Sequence, residues 1–124
     1  MPTIGSRAAN AKLAINQGSD FSFEMDLKDS VGAVVSLTGS SFQGQVRKTK
    51  DSPTVVCSFV VAVNTTTNKV TFSLANTVTA AIPAGPRPSD SDSQYVYDID
   101  WIKPGGSKER ILEGIVEVSS EVTR

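Results

Sequence analysis

Apolar and polar side chains alternate along several short stretches of this chain. The clearest stretch covers residues 20–28, in which Phe21, Phe23, Met25 and Leu27 are separated by single polar residues. A period of two places successive side chains on opposite faces of a β-strand and does not fit a helix. The pattern therefore predicts a half-buried strand whose four apolar side chains face a core.

Other stretches predict further strands, separated by turns. Their ranges are 33–37, 41–47, 54–63, 69–74, 95–101 and 110–118. Residues 75–82 predict one or two helical turns, and residues 83–93, which include three prolines, predict an exposed loop. Short strands between strong turns, without a long helical stretch, predict an all-β fold, either an antiparallel sandwich or a barrel.

Two glycine positions sharpen the predicted pairing of strands. Gly105 and Gly106 lie between the last two predicted strands, so we expect those strands to form an antiparallel hairpin. Gly44 falls on the inner face of 41–47, where it predicts that a large side chain from the opposing sheet fills the space.

The length of 124 residues predicts a single folded domain. Residues 1–10 are small and polar without periodicity, and we expect a flexible N-terminal arm there. The β-sandwich domain is predicted to span 11–124.

The composition excludes several classes of function. Twelve basic and thirteen acidic residues give a net charge of −1, which offers no general attraction for nucleic acid or an anionic membrane. The chain has no histidine, and Cys57 is its one cysteine, so the usual general base and the usual zinc ligands are missing. No apolar run approaches the roughly 20 residues of a membrane span, and the N-terminus lacks the apolar core of a signal peptide. We expect a protein made in a cytoplasm, without cofactor, metal, catalytic residue or small-molecule substrate.

Stretch 54–63 is β-branched and apolar on both faces. Such a strand is either covered on both sides or lies at a subunit contact, because an uncovered apolar edge would aggregate. It is the preferred candidate for an assembly surface, with the arm at 1–10 as the second. The interface candidates in it are Val55, Cys57, Phe59, Val61 and Val63.

Tyr95, Tyr97 and Trp101 share one face of stretch 95–101. Ile99 lies on the same face, which favours packing in the core. If exposed, these aromatic side chains would be candidates for a protein interface or for a platform that stacks sugars.

Three polar groups are candidates for other chemistry, and each has a simpler explanation. Asp98 and Asp100 share a strand face and could bind a cation or transfer protons, but a solvent-facing pair is favoured. Asp90 and Asp92 lie in a loop that could bind calcium or could simply be solvated. The basic residues of 47–50 could contact phosphate, although the end of a hairpin explains them. A small glycosidase using Asp98 and Glu113 is the enzymatic alternative, and nothing in the sequence sets the separation of these two residues.

Several segments, taken in order, resemble the N-terminal domain of the phage baseplate upper protein family. They lie at 15–21, 27–32, 37–42, 45–47, 73–74, 79–82, 97–99, 110–114 and 122–124, so the resemblance covers roughly residues 13–124. The resemblance implies an immunoglobulin-like sandwich, with about seven to nine short strands and at most one short helix. It also implies a structural protein of the virion that anchors a component of the phage tail. Multidomain relatives continue beyond the position of Arg124, so we expect an adaptor rather than a receptor-binding protein.

The sequence thus predicts a non-enzymatic baseplate or tail adaptor that forms homo-oligomers and binds other tail proteins. Two alternatives stay open. One is a decoration or head-associated protein of the capsid, and the other is a carbohydrate-binding module that uses Tyr95, Tyr97 and Trp101.

Overall fold

A computed structural model describes residues 9–29, 31–87 and 89–121, about half of which lie in two β-sheets. The helical parts are α1 (Asn76–Ala80) and a single 3-10 turn at Ser91–Ser93. The strands are β1 (Ala9–Asn10), β2 (Leu13–Asn16), β3 (Phe21–Met25), β4 (Ser41–Arg47), β5 (Cys57–Ser58), β6 (Val60–Asn64), β7 (Lys69–Leu74), β8 (Gln94–Ile102) and β9 (Lys108–Ser119). The predicted all-β sandwich with short strands and one short helix is confirmed.

The strand order is that of an immunoglobulin-like sandwich. The large sheet has the order β1-β9-β8-β4-β5, with β2 also pairing with β9, and the small sheet has the order β3-β7-β6. The β4-β8-β9 group corresponds to strands C, F and G of that fold, and the β3-β7-β6 group to strands B, E and D. All these pairs are antiparallel except those of β1 and β2, which run parallel to β9.

The predicted hairpin joins β8 and β9 and is confirmed. Its turn is closed by hydrogen bonds from the Lys103 N–H to the Ser107 carbonyl (2.8 Å) and from the Gly106 N–H to the Lys103 carbonyl (2.9 Å). Gly105 and Gly106 have φ of 99° and 100°, which side chains with a Cβ rarely adopt. The turn chemistry therefore sets the connection between the two longest strands.

The predicted strand at 33–37 is wrong. Only an isolated bridge between Lys28 and Val34 forms there. The Asp29 carboxylate accepts hydrogen bonds from the backbone N–H groups of Val31 (3.0 Å) and Ala33 (2.9 Å). These local side-chain bonds stabilise a turn in place of a strand ladder.

The predicted strand at 54–63 is also wrong, because the chain crosses from one sheet to the other in the middle of it. β5 belongs to the large sheet and β6 to the small sheet, and Phe59 lies between them. The Phe59 N–H donates to the Gly44 carbonyl (2.9 Å). A Cβ on Gly44 would lie 2.9 Å from the Phe59 ring and would overlap the Ile99 side chain. The space beside Gly44 is filled by Phe59 of the crossing segment and by Ile99 of the same sheet, so the predicted side chain from the opposing sheet is wrong.

The N-terminal boundary of the domain differs from the prediction. Ala9 and Asn10 pair with Leu112 and Glu113, so these two residues belong to the sheet and not to an arm. Residues 1–8 of the predicted arm lie outside the described residues. β2 was not predicted, because it contributes only two alternating apolar residues.

The core lies between the two sheets. Phe42 and Tyr97 enter it from the large sheet, Phe72 enters it from the small sheet, and Phe59 enters from the crossing segment. The Phe42 and Phe72 rings meet edge to face at 6.0 Å, and the Phe59 and Tyr97 rings at 6.3 Å. These contacts leave the opposite face of each sheet to solvent.

Candidate docking surface

The aromatic stripe of β8 lies in the core. Tyr95, Tyr97 and Trp101 are only 4–5% exposed. The Tyr95 hydroxyl donates to the Pro83 carbonyl (2.5 Å), and the Trp101 Nε1–H donates to the Ser40 hydroxyl (3.0 Å). The assignment of these three residues to an interface or a sugar platform is wrong, because the alternation points them inward. Packing in the core, the favoured alternative, is confirmed.

Tyr97 attaches the N-terminal segment to the sheet. Its hydroxyl donates to the Ala11 carbonyl (2.5 Å), and the Ala11 N–H donates to the Glu113 carbonyl (3.0 Å). Gly114 lies directly opposite Tyr97, and a Cβ there would overlap the Ala11 carbonyl oxygen. Burial, with a smaller contribution from Glu113, raises the pKa of Tyr97 to about 12. The hydroxyl therefore keeps its proton near neutral pH and remains a donor.

The candidates in 55–63 do not form one surface. Phe59 is 6% exposed, so its assignment to an interface is wrong. Cys57, Val61 and Val63 are half-buried and pack against the core, and Val55 is also half-buried. Burial raises the pKa of the Cys57 thiol, which keeps it protonated. The side chain of Val60, which was not among the predicted interface residues, is 64% exposed.

An apolar pair lies on the outer face of the large sheet, defined here as the side chains of β4, β8 and β9 that point away from the small sheet. Val96 and Ile115 face each other across β8 and β9. Val96 is half-buried, whereas Ile115 is 47% exposed. Sequence reasoning missed this pair. The available signal was an apolar residue in each strand on the side opposite the core-facing positions.

Charged side chains adjoin this apolar pair. Arg110 contacts the carboxylates of Asp98 and Glu113, each at 3.4 Å, and Lys50 lies 3.7 Å from Glu113. Burial and the neighbouring Asp100 raise the pKa of Asp98 against the opposing effect of Arg110. The raised pKa means that the sum of these interactions disfavours the ionised carboxylate. A positive or hydrogen-bond-donating group of a partner would therefore be favourable here.

The structure does bring Asp98 and Glu113 together, as directly opposed residues of β8 and β9. A glycosidase holds its two carboxyl groups on either side of the bond to be cleaved. Here the guanidinium of Arg110 bridges the two carboxylates. This arrangement is an ion-pair cluster on the outer face.

The other polar candidates take part in local structure. Asp90 accepts a hydrogen bond from the Arg87 N–H (3.2 Å) and pairs with its guanidinium (3.4 Å). Lys48 donates to the carbonyls of Ser91 (2.5 Å) and Gln94 (2.8 Å), so it anchors the 83–93 loop. Within 9–29, 31–87 and 89–121 no group of three acidic, cysteine or histidine residues could hold a metal ion. The described part of the chain also contains no helix with the length and apolar character needed to cross a membrane.

Comparison with known proteins gives the fold alone. No protein-family model matches the chain, and no curated protein matches it. Among solved structures, the chain is similar to the SrpA adhesin from Streptococcus sanguinis, solved as its R347E mutant, with a TM-score of 0.53 and 9% identity. The match covers 88% of this chain and 55% of the adhesin chain, so this protein corresponds to about half of that structure. The likeness agrees with a β-sandwich.

Proposed function

We propose that this protein is a non-enzymatic structural protein of a tailed-phage particle, an adaptor that docks other baseplate or tail proteins on the outer face of its large sheet. The observation that carries the proposal is the apolar pair of half-buried Val96 and exposed Ile115 beside a cluster of charges of both signs. An apolar centre with a polar rim is typical of protein interfaces. The ordered segments that resemble the baseplate upper protein family support the phage context.

The outer face suits a specific contact of moderate strength. Ile115 keeps about half of its surface exposed, so covering it contributes about 1 kcal/mol. The nearby charged side chains would orient a partner more than they would strengthen its binding, because exposed ion pairs contribute little free energy. A partner that binds here would place an apolar side chain over Val96 and Ile115. It would also direct a donor or a cation toward Asp98.

Immunogold labelling of purified particles of the phage that encodes this chain tests the proposal. Label at the baseplate or along the tail is the expected result. Label on the head would replace the adaptor with the alternative of a decoration protein. Intact particles that carry no label, with the epitope shown to be accessible, would overturn the virion assignment.

A pair of phage variants tests the docking face itself. Ile115→Lys places a charge in the apolar centre, whereas Val78→Lys does the same at a 37% exposed position on α1. We expect Ile115→Lys to reduce incorporation into particles at least tenfold and Val78→Lys to leave it unchanged. Both purified variants should unfold at the temperature of the unmodified chain. Equal incorporation of the two variants would overturn the assignment of this face.

A further inference from the structure

The edges of the two sheets differ in how they are protected. An edge strand exposes unpaired backbone N–H and C=O groups, and natural proteins block such edges with short strands, breaks, charges or proline. The large sheet ends at β5 on one side and at β1 and β2 on the other, while the small sheet ends at β3 and β6. An edge without any of these devices is a pairing surface.

Three of these edges carry a protective feature. β5 has only two residues. The edge formed by β1 and β2 is interrupted at residues 11–12, where Lys12 is exposed and bonds Glu117 at 2.9 Å. β3 carries the exposed Glu24, which pairs with Lys69 at 3.5 Å.

β6 has none of these features. Its five residues, Val60–Asn64, contain no charge, proline or glycine. Val60 is 64% exposed, and Ala62 is also exposed. Within the described part of the chain, β6 pairs only with β7, so its other edge is open. The turn that follows, residues 65–68, is uncharged as well.

We propose that a second copy of this chain covers the open edge, through antiparallel pairing of β6 with β6 of that copy about a two-fold axis at Ala62. This register places Ala62 opposite Ala62, Val61 opposite Val63, and Val60 opposite Asn64. The inference builds on the assembly role proposed above and names the contact between copies. The pairing joins the two small sheets into one continuous sheet.

The strand is self-complementary in the way that a two-fold axis requires. Each contact across such an axis repeats itself, so like charges near the axis would repel. β6 contributes no charge, and the nearest ions on its own sheet, Lys69 and Glu24, neutralise each other. The small Ala62 side chain at the axis allows close approach of the two strands. These properties favour a second copy over a charged peptide from another protein.

The contact is short, which sets how it must be measured. Five residues extend about 17 Å, and an edge of this length buries less than a standard interface. We expect a weak association of the isolated protein that gains strength where many copies are held together. Covalent trapping is therefore the appropriate measurement.

The first experiment traps the pair as a disulfide. Opposed residues in antiparallel strands have Cα atoms about 4.5–5.5 Å apart, within the range that a disulfide spans. Ala62→Cys in a Cys57→Ala background should form a covalent dimer under mild oxidation at least tenfold faster than Val31→Cys in the same background. Val31 is the stricter control because it is 85% exposed. Equal rates for the two variants would overturn the proposal.

The second experiment tests the register. A mixture of Val60→Cys and Asn64→Cys, both in the Cys57→Ala background, should cross-link at least fivefold faster than either variant alone. Faster self-cross-linking of Val60→Cys would indicate a parallel contact and would overturn the antiparallel register.

A third measurement keeps Cys57, in case its replacement unfolds the chain. In sedimentation velocity at rising concentration, the sedimentation coefficient of the unmodified chain should increase, and that of Val60→Lys should stay at the monomer value. Val31→Lys should behave like the unmodified chain. A monomer at millimolar concentration would overturn the self-pairing. This result would not contradict the proposed docking on the outer face of the large sheet, because Ile115 lies on that sheet and β6 lies on the small one.

Discussion

Replacing Gly114 with alanine should push the segment between β1 and β2 away from β9. A Cβ at this position would overlap the Ala11 carbonyl oxygen and lie 2.9 Å from the carbonyl carbon. Both are backbone atoms, so no side-chain rotation relieves the overlap. The segment between β1 and β2 must move away from β9. That movement breaks the bonds from the Tyr97 hydroxyl to Ala11 and from the Ala11 N–H to Glu113.

The magnitude follows from these two bonds. Each hydrogen bond contributes about 1 kcal/mol, and a buried hydroxyl left without a partner costs about 1–3 kcal/mol. We therefore expect Gly114→Ala to lower the free energy of unfolding by about 3–5 kcal/mol. This loss corresponds to a decrease of about 10–20 °C in melting temperature for a domain of this size.

Urea unfolding followed by Trp101 fluorescence measures the effect, because this tryptophan is the only one in the chain and is buried. Tyr97→Phe removes the same hydroxyl without adding volume and should cost about 1 kcal/mol. In the double variant the two losses should not add, because both break the Tyr97–Ala11 bond. A loss below 0.5 kcal/mol for Gly114→Ala, on the order of that for a neutral surface substitution, would refute the reasoning.

Three further predictions concern stability and its dependence on pH. Phe59→Ala should lower the free energy of unfolding by about 3–5 kcal/mol, whereas Val60→Ala should change it little; similar small effects in urea unfolding would contradict the core position of Phe59. Folding raises the pKa of Tyr97 from 10.0 to about 12. The contribution of this hydroxyl to the free energy of unfolding is therefore complete below pH 10 and is lost as the pH rises toward 12. The free energy of unfolding of Tyr97→Phe should lack this part of the decline at alkaline pH. An identical decline in the variant and the unmodified chain would contradict the prediction. Asp98→Asn should stabilise the protein slightly at pH 7, since its raised pKa shows that the charged form is disfavoured; the advantage should shrink as the pH falls toward 3.8. A clear loss of stability in urea at pH 7 would show that the Arg110 contact dominates instead.

The sequence predicted the elements whose signal is local. Alternation placed the apolar residues of 21–27 on an inner face and favoured the core for Tyr97 and its neighbours in stretch 95–101. The glycine pair at 105–106 identified the hairpin between β8 and β9. These signals depend on the period of two and on turn chemistry, so they are present without knowledge of the partner strand.

The candidate site was predictable only in part. Stretch 54–63 was predicted as a contact surface, but the sequence did not show that Phe59 turns inward or that the chain changes sheets there. The outer face was missed because Val96 and Ile115 are distant in sequence and become neighbours only through the β8–β9 register. Asp98 and Glu113 meet for the same reason.

The sequence by itself therefore determined the class of fold and the inward face of the strands in which apolar and polar residues alternate clearly. Tertiary structure decided which strands pair, where the chain changes sheets, and which edge stays open. The physical reason is that burial acts on each residue locally, whereas pairing depends on contacts between residues far apart in the chain. The parallel strand at Ala9 and Asn10 shows this most clearly. Ala11, the residue that follows this strand, fits against β9 only because Gly114, more than 100 positions later, has no Cβ.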